Sequence, residues 1–379
     1  QNAWLVLGFD ECDQALRDGE TFGSHNRRES LTEERWNDLS VTLGGERALV
    51  LLPEPEHSRL VTLIRRRMAL NVPHYRATRI QPVIDHLLAG LIERGGGEFA
   101  SEFSDPVPSA VIASVLGLPW EDPDLLMQWK VWDAMTVELV SRFDRRATDE
   151  SRRVAAEISE VLLPIVRARR EQPEDDFISQ LWEVVPTVLE DCTDEDIVAQ
   201  CRQLFLGGSH STSFLLNNCA VLLFSDPERW QDLKLYPDKV GPFVDEVLRV
   251  IGVVQQRPRV VTKDTVLGGQ QLRAGDHVYL MLPAANRDPE HYSCPFAVSL
   301  DPADRKRHLG FGAGPKTCAG MALARVEITD VFTTLLRSID NPRLDPAAEA
   351  PSFDVESVTA AWRPLNVNFD DIRASAAVA

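Results

Sequence analysis

The stretch "HLGFGAGPKTCAG", His308 to Gly320, sets one cysteine, Cys318, at the end of a glycine-rich loop and just ahead of "MALARVEI", which reads as a helix. A glycine loop feeding a helix can cradle phosphate through free backbone N–H groups. Neither G-x-x-x-x-G-K-[ST] nor G-x-G-x-x-G is matched, and no parallel βαβ pattern surrounds the loop, so Lys316 is not placed as a phosphate lysine. A sulfur at the positive end of a helix dipole is favoured as thiolate. Gly312, Gly314 and Gly320 let the backbone approach a flat ligand closely. Together these features suit a thiolate that binds a metal from one side. The plainer reading, a small buried hydrophobe, fits Cys12, Cys192, Cys201, Cys219 and Cys294, which show no zinc or disulfide spacing.

Two other clusters carry chemistry. "GGSHST", Gly207 to Thr212, puts two glycines in a helical pattern at about 1 kcal/mol each, beside an imidazole and three hydroxyls. His210, with an unperturbed pKa of about 6.5, can shuttle protons. In "EVLR" the spacing of Glu246 and Arg249 sets both charges on one helix face.

These residues need elements to position them. The opening "WLVLGF" alternates like a strand and leads into a short helix that Asp10 can cap and Gly19 can end. From Ser58 to about Leu181 the pattern is helical, with breaks at "NVP", "SDPVP", "GLPWEDP" and "EQPEDD". A long helix starts at the "TDED" cap, Thr193 to Asp196, and runs to about Phe224, carrying the glycine–histidine cluster in its middle. From Arg259 to Leu282 the chain alternates on both sides of Gly268-Gly269, a hairpin signal. The fold class is mainly α with a small β-rich region. No linker or repeat divides the 379 residues, so residues 1–379 are read as a single domain.

Composition narrows the partners. A net charge of −18 argues against nucleic acid and anionic membrane surfaces, and no apolar run reaches the roughly 20 residues of a membrane span. Cysteine usage and the lack of a signal-peptide pattern lead us to expect a reducing, cytoplasmic setting. Against the acidic total stand two basic clusters, "LIRRRM" (Arg65 to Arg67) and "DRKRH" (Arg305 to Arg307).

The cysteine loop resembles the heme-binding segment of the cytochrome P450 family, F-G-x-G-x-[HR]-x-C-x-G, in its soluble bacterial form. Phe311, Gly312, Gly314, Cys318 and Gly320 fall on that pattern, and Lys316 stands where histidine or arginine is usual. "EVLR" matches the family's E-x-x-R, "RVVTKDTVLGG" its R-x-A-T-x-D-x-x-L-G-G, "LPAANRDPEHY" its A-N-R-D-P segment and "PEHSRL" its P-x-H-x-R-L. "ASVLGLPWED" and "DDFISQL" also look familial, so the resemblance runs from the first strand to "WRPLNVNF". Measured against the family, an N-terminal strand–helix unit is missing, trimmed or disordered.

The resemblance implies a cytochrome P450 fold with heme b between the long central helix and the cysteine loop. Cys318 would be the axial iron ligand, while His57, Arg259 and Lys316 would face the propionates, with Phe311, Gly312 and Gly320 shaping the loop. Lys316 could instead point outward to a redox partner. Glu246 and Arg249 would brace the core, although Ala297 stands where a third basic residue is usual, and Val61 replaces a further basic heme contact. Gly208, His210, Ser211 and Thr212 would form the oxygen-activation site. There the family's acid–alcohol pair relays protons to bound oxygen, and here histidine replaces the acid.

The implied function is O2-dependent oxidation of a small organic molecule, hydroxylation in natural-product biosynthesis, by a monomer fed by ferredoxin and ferredoxin reductase that could dock on the basic clusters. The changed pair leaves open oxidative coupling of an aromatic or peptide-derived substrate. A non-catalytic relative that serves as a partner protein is a further alternative. By analogy the pocket would be lined by residues 20–50, Leu204, Phe205, Val253 to Gln256 and Trp362.

Overall fold

A computed structural model describes residues 3–24, 28, 31–141, 147–301, 306–356 and 358–371. The chain opens with β1 (Ala3–Val6), α1 (Phe9–Arg17), β2 (Phe22–Ser24), α2 (Glu33–Leu43), α3 (Glu56–Tyr75), α4 (Gln81–Glu93) and β3 (Gly96–Glu98). Then follow α5 (Pro106–Leu116), α6 (Pro123–Ser141), α7 (Asp149–Glu171), α8 (Phe177–Val184), α9 (Asp194–Gly208), α10 (His210–Phe224), α11 (Pro227–Leu235) and α12 (Val240–Val250). The last third holds β4 (Arg257–Val261), β5 (Thr265–Leu267), β6 (Gln270–Leu272), β7 (His277–Leu280), α13 (Leu282–Ala285), α14 (Met321–Ser338), β8 (Ile339–Leu344), β9 (Ser352–Glu356), β10 (Thr359–Arg363) and β11 (Asn366–Asp371).

Helices dominate, as the apolar spacing predicts. The predicted long helix forms with Thr193 as its cap, in a reciprocal capping box with Asp196. It is interrupted at Ser209, so α9 and α10 are two segments of one rod, roughly 45 Å long at ~1.5 Å per residue. The rod runs through the main apolar core, to which α3, α4, α5, α8, α12 and α14 contribute. A second core lies under a sheet of order β1-β7-β4-β2 with α1 packed on it. The predicted hairpin is β5–β6, where Gly268 and Gly269 both take positive φ, as its two-residue turn demands.

Three local readings change. "NVP" does not break α3, because Pro73 sits inside it and the hydrogen-bond ladder shifts to a π segment at Arg76–Ile80. Burial of Val72, Tyr75 and Ile80 outweighs the lost donor. Likewise "SDPVP" turns without a break from a π segment into α5, with Pro106 in its first turn. Asp10 does not cap α1. Gly8 holds that position, and the Phe9 N–H is instead satisfied at 2.8 Å by Asp288, nearly three hundred residues on. No helix among the described residues is long and apolar enough to cross a membrane.

Candidate active site

The cysteine loop folds on its own backbone. The Cys318 N–H donates to the Phe311 carbonyl at 3.0 Å and the Gly312 N–H to the Leu309 carbonyl at 2.8 Å. Gly312 and Gly314 take φ of +73° and +71°, which side chains resist. At Gly314 an added Cβ would also lie 2.8 Å from the Arg17 Cα. Gly314→Ala is therefore expected to cost roughly 2 kcal/mol, combining left-handed strain with a backbone clash. Thermal unfolding checks this, and an unchanged Tm would refute the strain.

α14 begins at Met321, just past the loop. Burial pushes the Cys318 thiol above its ordinary pKa, against the backbone N–H groups of Gly320 and Met321 and the charges of Arg257 and Arg65, which pull it down. The expected preference for thiolate is thus reversed by burial, which these groups only partly offset. Phe311 packs beneath Arg325, whose guanidinium lies 4.9 Å from the ring centre.

Glu246 and Arg249 form a bidentate pair at 2.8 Å in each arm, both buried. Arg249 also donates to the carbonyls of Asn286, Cys294, Pro295 and Ala297. Ala297 thus joins through its backbone where a third side chain was expected. Asn286 in turn accepts the Leu309 N–H at 2.7 Å, which ties this brace to the cysteine loop.

His57, Lys316 and Arg259 come together. Burial lowers the His57 pKa to about 4, helped by the charges of Lys316 and Arg259 and opposed by Glu54. Its buried Nδ1 has no hydrogen-bond partner. Glu54 lies 3.5 Å from Lys316 Nζ and 3.7 Å from His57 Nδ1. Burial, and then the charge of Arg257, depress Arg259 to about 10. The Arg257 side chain keeps open surface and lies within the field of Cys318. Sequence reading missed Arg257, although its spacing from Arg259 puts both on one face of β4.

The other candidate residues lie at the break between α9 and α10. Gly207 is open, with nothing within 4 Å of an added Cβ, and the Ser211 hydroxyl donates to its carbonyl at 3.0 Å. The 3.6-residue period places Gly207 and Ser211 on one face and turns Gly208 and Thr212 to the next. A Cβ added at Gly208 would lie 3.4 Å from Ile112 of α5 and Thr212 is buried, so the open glycine is Gly207. Phe205 also leaves the expected pocket, packing at 4.2 Å on the buried Trp129.

His210 Nε2 lies 3.0 Å from Thr359 Oγ1, and its ring packs on Phe214. Burial lowers its pKa to about 4, with Asp105 pulling up and Arg363 down. At neutral pH it is therefore held in the neutral form. Two carboxyls flank this turn. Burial pushes Asp105 up, but Arg363, Lys130 and the Ser213 hydroxyl hold it below the usual carboxylate range. Asp133 of α6, accepting from Ser209 Oγ at 2.8 Å, is raised by burial to about 8.

These residues fit a flat macrocycle bearing two carboxylates. Between the loop and α10 they present a sulfur, an orphaned imidazole nitrogen, a lysine, and two arginines that have no carboxylate partner among the described residues. Among the described residues no three His, Cys, Asp or Glu side chains converge, so Cys318 would be the one protein ligand and the macrocycle would supply the rest.

On the loop's outer side lies a depression of about 880 Å³ lined by Arg17, Arg65, Lys306, Arg307 and Arg325 against Asp245 and Glu246, the last committed to Arg249. Arg67 turns away to Glu183, and Arg305 lies outside the described residues.

A family model described as Cytochrome P450 matches residues 240–346. The biotin biosynthesis cytochrome P450 of Bacillus subtilis (strain 168) is 29% identical over 96% of this chain and 87% of its own. Cytochrome P450-SU2 of Streptomyces griseolus is 30% identical over 95% of this chain and 88% of its own. The solved structure of P450BioI in complex with hexadec-9Z-enoic acid ligated acyl carrier protein matches with a TM-score of 0.82 at 28% identity, covering 97% of this chain and 92% of that one. Fold and site thus define an oxidoreductase of the heme-thiolate class. The chain belongs to the cytochrome P450 family.

Proposed function

We propose that this protein holds heme b through Cys318 and oxidises a small organic molecule in natural-product biosynthesis, with hydroxylation as the primary reaction. When bound, the heme supplies redox chemistry with O2 at a thiolate-ligated iron. The observation that carries the reading is the convergence of His57, Lys316 and Arg259, with Arg257 in the field of Cys318. His57, Lys316 and Arg259 hold the carboxylates, and the loop glycines admit the ring. Ser211 keeps a hydroxyl proton at the cavity wall and Gly207 leaves room beside it. Electrons come from a separate ferredoxin and its reductase, with the basic depression behind the loop favouring an acidic partner mainly through association rate. Reduction under CO tests the assignment. A thiolate-type Soret band supports it, while absence of heme absorption would leave the non-catalytic relative.

A second reading, oxidative coupling without oxygen insertion, is favoured by one observation. His210 is a neutral, buried imidazole where an acid is usual, which suits chemistry that asks less of proton delivery.

The neutral histidine also has a consequence for stability. Its folded pKa of about 4 lies below the unfolded value near 6.5, so the unfolded state binds the extra proton first as pH falls. Its contribution is intact above pH ~6.5 and is lost toward pH ~4, by about 3 kcal/mol. His210→Gln should flatten that part of the profile, read by denaturant unfolding against pH. An unaltered profile would contradict the burial argument.

A further inference from the structure

His210 has a carboxylate neighbour that comes from another element. Asp105, at the N-cap of α5, accepts from Ser213 Oγ of α10 at 2.5 Å, and Ser213 lies three residues after His210 on the same helix face. Arg363 of β10 donates to the same carboxylate, as does the half-exposed Lys130 of α6 at 2.9 Å. The Arg363 guanidinium and the His210 ring both pack on Phe214, at 5.6 Å and 4.2 Å from its ring centre. Asp105 and Arg363 thus form an ion pair directly beside the imidazole.

Of the two carboxyls that flank this turn, Asp133, which accepts from Ser209, is driven by burial toward its neutral form, while Asp105 is held ionised. The negative charge beside His210 is therefore that of Asp105. It favours a protonated imidazole, and Arg363 opposes it. Both ring nitrogens of an imidazolium are donors, and each needs an acceptor when buried. At Nε2 that acceptor is in place, because Thr359 Oγ1 lies 3.0 Å away. Thr359 is buried on β10 and bridges to Val254. The Ser211 hydroxyl, by contrast, is committed to the Gly207 carbonyl of its own helix. Carboxylate, imidazole and hydroxyl meet here from three separate elements, α5, α10 and β10.

We propose that Asp105 and Thr359 are positioning residues for His210: Thr359 orients the ring by accepting from Nε2, and Asp105 steadies the charged imidazole when it takes a proton from solvent, so that His210 holds a proton beside the helix break. This rests on the heme-bound reading above and deepens it. The test follows the ring nitrogens of His210 by NMR against pH in heme-loaded protein, reduced and CO-bound so that it is diamagnetic. Arg363→Gln, which removes the opposing cation, should raise the proton affinity of His210 about tenfold. Adding Asp105→Asn to that variant should cancel the rise, and because both members of the pair are then neutral, neither is left as a stranded charge. Thr359→Val should change the tautomer seen in the same spectra, with heme content and the reduced CO spectrum unchanged. Oxygen uptake with a surrogate ferredoxin and its reductase gives a second readout, and in Arg363→Gln its acid limb should move with the NMR titration. An unmoved titration in Arg363→Gln overturns the proposal, as does a rise that survives Asp105→Asn, an unchanged tautomer in Thr359→Val, or a titration that moves while oxygen uptake does not. Failure of the wild type to bind heme at all would instead sink the functional reading on which this one rests.

Discussion

Cys318→Ser is expected to leave a folded chain that shows no thiolate-type Soret band when reduced under CO and whose turnover falls at least about a thousandfold, or about 4 kcal/mol in barrier. The loop fixes the sulfur through its own backbone. The Phe311 carbonyl fixes its backbone, Gly320 and Met321 aim N–H groups at it, and α14 starts behind it. A serine hydroxyl keeps the loop's backbone bonds but is a poor, protonated ligand that cannot donate electron density as a thiolate does. Circular dichroism and unfolding close to wild type would separate lost ligation from lost fold. Persistence of the thiolate band in the serine variant would show that another residue ligates the iron.

Glu246→Ala is expected to be the most damaging change outside the cysteine loop, at about 3–5 kcal/mol, with heme-loaded protein scarcely recovered. Both partners are buried, and removing the carboxylate strands the Arg249 charge amid carbonyls from the segment that carries the cysteine loop. The Ser299 N–H, which Glu246 also accepts, would be orphaned. Glu246→Gln keeps the shape and some hydrogen bonds, so it should fall between. Denaturant unfolding and heme content of the soluble fraction read this out, and an alanine variant within about 1 kcal/mol of wild type would show that the pair is dispensable.

Much of the site was legible because its chemistry is local. Five matches in the cysteine loop, the three-residue spacing of Glu246 and Arg249, and the Gly268-Gly269 turn are fixed by backbone demands that neighbours in sequence satisfy. The helix start at Thr193 is local in the same sense. The capping of α1 was not, since its acceptor is Asp288. Pro73 misled for the opposite reason, as the breaker's cost is local while the burial that outweighs it comes from several helices. Gly208 and Gly207 are indistinguishable in a string of letters, and only the packing of α5 decides which one is left open.

By itself, then, the sequence determined the family's loop pattern, the mainly helical class and the Glu246–Arg249 pair, because turn geometry and helical spacing act over a few residues. Only the tertiary structure decided the charge states and the unmet partners. His210 is neutral because α5, β10 and α10 bury it together, and Cys318 stays a thiol until a metal arrives because burial exceeds the helix field. Arg257 is left without an anion because the elements packed around it offer none among the described residues. Desolvation and electric fields sum over everything nearby in space, and spacing along the chain does not carry that sum.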